Sequence, residues 1–375
     1  MIRKRMAKAS ETVLEIDLLA LEHNYRFLKS RIKQTTKFLG VVKAFAYGSD
    51  SVAIARKLEV LGADYLAVAY VSEGVVLRQA GIKLPILVLH PLPVSFDNLV
   101  TYDLEPNIYS IKILKDFLQV AQERGLNQYP IHLKFNTGLN RLGFTENEVE
   151  TLAEMLKGQN QVKVVSLFSH LAASEDLNER EFTENQIARF EGIVNALVKH
   201  LKHKPMLHLL NTSGIINYAA QSQYDMVRSG IGLYGFGNEA AIDAQLKPVA
   251  TLKTVISQIH TIIKGQSIGY NMAYRAQEDI VTATLPVGHA DGIGRQYGNG
   301  KAYVTINGQK APIIGNVCMD MIMVNITGID CKEGDEVIVF GKSPTAEAFA
   351  SGAKTISYEI LTGISQRVTR LVVDN

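Results

Sequence analysis

The chain of 375 residues suits two domains, or one barrel with an appended domain, at the usual scale of roughly 150 residues per domain. Apolar residues make up 47% of it, enough for a large core, and charged residues only 20%, which excludes a disordered chain. Lys plus Arg (39) nearly balances Asp plus Glu (37), and the net charge of +2 excludes the electrostatic footprint of a nucleic-acid-binding protein and a polybasic membrane anchor.

The basic start MIRKRMAKASET is not followed by the apolar stretch of a secretory signal. No apolar run nears the ~18 residues of a membrane span. Two cysteines, Cys318 and Cys331, are too few for a disulfide scaffold and point to a reducing compartment. The expectation is a soluble, cytoplasmic, metabolic-type protein with no nucleic-acid or membrane partner.

From about residue 12 to 243, short apolar strands alternate with amphipathic helices. Strands are predicted near 37–43, 64–69, 85–89, 104–109, 131–136, 162–170, 206–211 and 225–228, with helices such as 51–61 and 184–201 between them. Runs such as FLGVV and VVSLF are apolar throughout, as strands covered on both faces must be. Eight βα repeats are the signature of an α/β, TIM-like (β/α)8 barrel, with a doubly wound sheet as its competitor. From residue 244 to 375, to which 1–11 are assigned, the texture becomes mostly β. Strands are expected near 249–263, 280–286, 303–306, 311–314, 321–326 and 336–340, and helices near 345–351 and 357–364. Asn307-Gly308 between two strands is a type I′ hairpin signal.

In a barrel, chemistry sits at the C-terminal ends of the strands. Lys43 follows FLGVV, Lys134, Asn136 and Arg141 follow the strand at 131–136, and His170 ends the strand at 162–170. Asn211-Thr212-Ser213 and Arg228-Ser229-Gly230 end the last two. Only His170, and His208 within its strand, offer metal-type ligands there, and no facing pair of carboxylates is placed for glycoside hydrolysis. A metal is therefore not expected. A cationic mouth suits an anionic ligand, and the last two βα loops are the usual phosphate site of this fold. There a helix N-terminus at Ser213 and the accessible backbone at Gly230 and Ile231 favour an anion. Taken singly, each loop reads as an ordinary βα turn. A lysine at the end of a buried strand can lose its charge and form a Schiff base, although most lysines reach solvent instead. Lys43 with a phosphate site makes pyridoxal phosphate the economical joint explanation. Residues 230–235 also match G-x-G-x-x-G, but after the last βα strand and with no acid about 20 residues on, so a nicotinamide cofactor is disfavoured.

Together these motifs resemble the alanine racemases over essentially the whole chain. The resemblance rests on VVKAFAYG (41–48), HLKFNTGLNRLG (132–143) and RSGI (228–231). Gly269-Tyr270, Ala290-Asp291-Gly292, Cys318-Met319-Asp320 and Ile356-Ser357-Tyr358-Glu359 follow in order. The family is pyridoxal-phosphate-dependent, with a barrel and a C-terminal β domain. The resemblance implies that Lys43 holds the cofactor and acts as one base, while Tyr270 acts as the opposite base from a partner subunit of a homodimer with shared active sites. It implies that Tyr47, Ser213, Gly230, Ile231 and Tyr358 hold the phosphate. Arg228 faces the pyridine nitrogen and is itself hydrogen-bonded by His170. Arg141 contacts the cofactor's phenolic oxygen and the substrate carboxylate. Lys134, carbamylated in many members, orients Arg141. Met319 from the partner helps bind the substrate, and Asp320 lines the same pocket. The implied activity is interconversion of L- and D-alanine by two bases, supplying D-alanine for peptidoglycan.

Three positions depart from the family's habit. Phe45 stands where Asn is frequent, Asn136 where Asp is, and His289 where Tyr is. They leave open a broader racemase acting on serine or lysine. A pyridoxal-phosphate decarboxylase is expected to set a carboxylate where Arg228 stands. A non-catalytic cofactor-binding barrel would not need the second domain. Tyr270 and Tyr358 also admit a plain packing role, and Cys318 reads as a thiol without function.

Overall fold

The structure, a computed structural model, describes residues 9–374. Residues 1–8, which belong to the segment 1–11 assigned above to the second domain, lie outside the described residues. The chain opens on β1 (Val13–Asp17) and then builds a closed parallel barrel. Its staves are β2 (Lys37–Val41), β3 (Tyr65–Val68), β4 (Ile86–Val88), β5 (Glu105–Ile108), β6 (Tyr129–Lys134), β7 (Val162–Phe168), β8 (Met206–His208) and β9 (Met226–Ser229). β9 pairs with β2, which closes the ring and excludes the doubly wound alternative. The helices between staves are apolar on one side only. In Ile111–Glu123, Ile113, Leu114, Phe117 and Ala121 recur at helical spacing and are buried, and the Ser110 hydroxyl accepts from Ile113 N at 3.3 Å to start the helix.

The second unit is a nine-stranded, mostly antiparallel sheet. Its strands are β10 (Ala250–Val255), β11 (Gln258–Ile262), β14 (Ile280–Leu285), β15 (Tyr303–Ile306), β16 (Gln309–Ile314), β17 (Ile322–Asn325), β18 (Glu336–Phe340) and β19 (Thr369–Val373), together with β1. A separate ribbon pairs β12 (Ser267–Ile268) with β13 (Tyr274–Arg275). The Asn307-Gly308 hairpin forms as expected, with both residues at positive φ (48° and 81°) and Ile306 opposite Gln309. The single strand expected at 249–263 is two. β10 pairs with β18 and β11 with β14, so the chain must change partners around Ile256. β1 lies antiparallel to β10 and parallel to β19. The segment expected to open the barrel at residue 12 thus joins the other sheet, because a closed ring has no edge to receive another strand. Leu14 and Ile16 of β1 share one continuous core with the barrel.

Candidate active site

The strand β2 ends at Val41, two residues earlier than expected, and Lys43 opens the short helical segment Lys43–Tyr47. This segment is left-handed. Ala44, Phe45, Ala46 and Tyr47 all stand at φ between 53° and 55°. L-residues avoid that region, so the surroundings must hold it. Glu73 does so from the next βα unit, accepting from Ala44 N at 2.6 Å and from Ala69 N at 2.7 Å. At the other end Gly48 (φ 80°) presses on the Leu361 carbonyl, where a Cβ would stand 2.0 Å from the oxygen. Arg370 of β19 donates to the Gly48 carbonyl at 2.9 Å and to that of Ile364 at 2.9 Å.

Lys43 faces a cavity of about 1190 Å³ at the barrel mouth. Lys134, Arg141, His170 and Arg228 line it from the strand ends. Arg141 rides on a loop that returns to its own strand: Phe144 N donates to the Lys134 carbonyl (2.8 Å), and Asn136 N to that of Phe144 (2.9 Å). Asn136 Oδ1 pins the loop by accepting from Gly138 N (3.2 Å) and Asn140 N (2.9 Å). An amide oxygen thus does what a carboxylate would do at this departure. Four cations share one mouth. Burial and the nearby Arg141 lower the Lys43 pKa, and burial with Arg141, Arg228 and Lys43 brings Lys134 down to about 7.

Arg228 is pinned through both terminal nitrogens. Nη1 donates to His208 Nδ1 (2.7 Å), and Nη2 to the carbonyls of Ser169 (2.7 Å) and Leu209 (2.9 Å) and to His170 Nδ1 (3.3 Å). Its Nε–H takes part in none of these bonds. Burial pulls the guanidinium's pKa to about 9, leaving the cation intact at neutral pH. The same burial and the neighbouring Arg228 depress both His170 and His208, so both rings are neutral.

The remaining wall is a cradle of hydroxyls and backbone. Tyr47 stacks on Tyr234 (4.5 Å between centroids) and lies 6.0 Å from the Tyr358 ring. The Tyr234 hydroxyl donates to the Val41 carbonyl at 3.0 Å. A Cβ at Gly230 would stand 2.1 Å from the Tyr47 hydroxyl, so only glycine lets the two meet. Ile231 and Ser213 line the same wall. Ser213 lies in the first turn of the helix Thr212–Ser222, whose cap Asn211 accepts from Gly214 N at 2.9 Å. Burial raises the pKa of Tyr47 and of Tyr358, keeping both hydroxyls as donors.

Ten of the expected site residues therefore meet in one cavity. Tyr270, Met319 and Asp320 do not. Tyr270 is 73% exposed and Met319 59%, on the outer rim of the second sheet. The loop of Met319 and Asp320 is tied down at several points. His289 N and Ala290 N donate to the carbonyls of Cys318 and Met319 (both 3.0 Å). Asp291 accepts from Gly288 N (2.8 Å) and from Arg367 Nε (2.7 Å), and Arg367 Nη2 reaches Asp320 (2.6 Å). Sequence reasoning missed Glu73, Tyr234, Arg367 and Arg370, and gave His208 only a marginal place. Of these, only Glu73 carries a local signal, as the third residue of a helix that follows Tyr70. Among the described residues no group of three or more His, Cys, Asp or Glu is placed to hold a metal ion, and no helix is long and apolar enough to cross a membrane.

These features fit pyridoxal phosphate. A buried amine suits an aldehyde, a guanidinium with one N–H to spare suits a ring nitrogen, and hydroxyls at a helix N-terminus suit a phosphate. The fold and the site define a barrel-type pyridoxal-phosphate enzyme. The profile of the alanine racemase N-terminal domain matches residues 16–237, and that of the C-terminal domain matches residues 249–372. An alanine racemase of Thermodesulfovibrio yellowstonii is 37% identical over 364 residues, covering 95% of this chain and 96% of its own. The crystal structure of the alanine racemase of Streptomyces lavendulae superposes with a TM-score of 0.93, at 27% identity and 98% coverage of both chains. That of Bartonella henselae, described with covalently bound pyridoxal phosphate, gives 0.88 at 27% identity, covering 97% of this chain and 100% of that one. The chain belongs to the alanine racemase family.

Proposed function

We propose that the protein interconverts L- and D-alanine with Lys43 and Tyr270 as the two bases, Tyr270 coming from a second copy of the chain. The activity and the pyridoxal phosphate follow from the family, while the assignment of residues is our reading of the site. The cofactor, when bound, acidifies the substrate's Cα–H by delocalising the electron pair left behind. Lys43 exchanges the proton on one face at its Nζ, and burial beside Arg141 favours the neutral amine this needs. The Tyr270 hydroxyl exchanges the proton on the other face. Two bases on opposite faces achieve inversion without the substrate turning over.

Arg228 offers its Nε–H to the pyridine nitrogen. A guanidinium does not surrender its proton, so the ring stays a modest electron acceptor and side reactions are suppressed. Arg141 binds the substrate carboxylate and the phenolic oxygen. Tyr47, Tyr358, Ser213 and the backbone at Gly230 and Ile231 hold the phosphate, and Met319 and Asp320 of a second copy close the pocket. A carbamate on Lys134 would turn its repulsion with Arg141 into an ion pair. The observation that carries the shared site is the split itself: the mouth gathers the other expected groups around Lys43, while Tyr270 stands exposed on the rim of the second sheet. On this reading the enzyme is a homodimer in which the rim of each chain closes the mouth of the other. The two cysteines, neither in a disulfide, suit a cytoplasmic enzyme, and the family implies that its D-alanine goes to peptidoglycan.

Borohydride reduction of the holoenzyme followed by peptide mapping tests the central assignment. The label is expected on Lys43, and a label on another lysine refutes it. A racemisation assay over a panel of amino acids, with alanine turned over fastest, tests the substrate.

A further inference from the structure

The barrel interior holds a column of buried polar side chains that the proton exchange itself does not use. Arg228 (β9) bonds His208 (β8) at 2.7 Å, and His208 Nε2 lies 2.9 Å from Ser166 Oγ (β7). Ser166 Oγ lies 2.6 Å from His132 Nδ1 (β6), and His132 Nε2 lies 2.7 Å from Glu105 Oε2 (β5). The chain crosses five consecutive staves, one residue from each. Arg228, His208, Ser166 and His132 are all buried, and Glu105 is largely so.

Its ends dictate the direction of every bond between them. A guanidinium only donates and a carboxylate only accepts. His208 Nδ1 must therefore accept, so its ring proton is on Nε2 and goes to Ser166. The single Ser166 proton then goes to His132 Nδ1, which leaves His132 protonated on Nε2 and donating to Glu105. The Phe168 ring, stacked 4.7 Å from His208 at 7°, fixes the plane of that imidazole. The other tautomer of His208 would aim an N–H at the guanidinium across 2.7 Å, setting donor against donor.

We infer that His208, Ser166, His132 and Glu105 are positioning residues for Arg228: a one-way hydrogen-bond chain, anchored on a carboxylate four staves away, that locks His208 in the tautomer which accepts from the guanidinium. The inference rests on the reading that Arg228 meets the cofactor ring. It explains why a barrel interior, normally filled with branched apolar side chains, spends five positions on polar groups.

The test is ¹⁵N-histidine NMR of the protein before and after loading with pyridoxal phosphate, with signals assigned from single-histidine variants. His208 and His132 are each expected as a single Nε2–H tautomer. Ser166→Ala leaves the His208 Nε2–H without its acceptor and should shift that ¹⁵N signal and weaken pyridoxal phosphate binding about tenfold, and Ser166→Thr should restore both. Should Ser166→Ala fail to fold, Glu105→Leu breaks the same chain at its far end, while Glu105→Gln keeps an acceptor and should keep the tautomer. An Nδ1–H form or a doubly protonated His132 in the native protein overturns the inference. So does Ser166→Ala with an unchanged His208 signal and unchanged affinity. Cofactor affinity insensitive to Arg228→Ala would instead sink the reading of Arg228, and the tautomers of the unloaded protein separate the two failures.

Discussion

The barrel mouth and the rim of the second sheet, the two halves of the site we propose, are built by opposite rules. The mouth gathers Lys43, Lys134, Arg141 and Arg228 inside a closed ring, where burial and mutual repulsion reshape their charges. The rim holds Tyr270 and Met319 out in solvent, and the loop of Met319 takes its order from backbone bonds and the Arg367 clamp. A buried half can tune a proton, whereas an exposed half can only be complementary to something else. The contrast is what a site completed by a second chain, as we propose, would require.

The sharpest way to break this comparison is complementation. Lys43→Ala and Tyr270→Ala should each lower activity by about 10⁴-fold or more as separate preparations. Refolded together, they should recover about a quarter of wild-type turnover, since half of random dimers are mixed and each mixed dimer holds one intact site. No recovery in verified mixed dimers would place both groups in one chain. Next in size, Tyr270→Phe should slow racemisation by roughly 10²- to 10⁴-fold. Solvent-deuterium exchange at Cα should then slow far more from one enantiomer than from the other, and equal slowing would remove the two-face arrangement.

A third prediction probes charge in the mouth alone. Folded Lys134 loses its proton near pH 7, whereas the unfolded chain keeps it to the ordinary lysine value. Between the two the unfolded state binds more protons, so stability should rise with pH, on the order of 3 kcal/mol from about pH 7 to 10. Denaturant melts in bicarbonate-free buffer should show the rise, Lys134→Met should abolish it, and added bicarbonate should flatten it if a carbamate forms. The smallest effect concerns the cradle. Gly230→Ala drives a methyl into the Tyr47 hydroxyl and should weaken pyridoxal phosphate binding about tenfold in a titration, with partial recovery in the double variant with Tyr47→Phe.

The barrel was legible because strands covered on both faces are apolar throughout, and the mouth because strand ends are where such folds place chemistry. Asn307-Gly308 announced its hairpin through local backbone demands alone. What stayed hidden depends on partners distant in the chain. The segment Val13–Asp17 finds its neighbours near residues 250 and 370, and the break around Ile256 exists only because β18 and β14 claim different halves of one apolar run. His208, Tyr234, Arg367 and Arg370 look like ordinary core or surface residues until the fold sets them against Arg228, Tyr47, Asp291 and Gly48.

The four-residue segment after Lys43 winds in the sense natural to D-amino acids, at a cost of about 1–2 kcal/mol for each L-residue. Part of that cost is offset nearby, where Glu73 accepts from Ala44 N. The rest is offset from the far end of the sequence, where Leu361 of the last helix and Arg370 of the final strand pack against Gly48. The pose of the reactive amine therefore answers to residues at the opposite end of the sequence, so a substitution in the tail can reach the chemistry without touching a single stave.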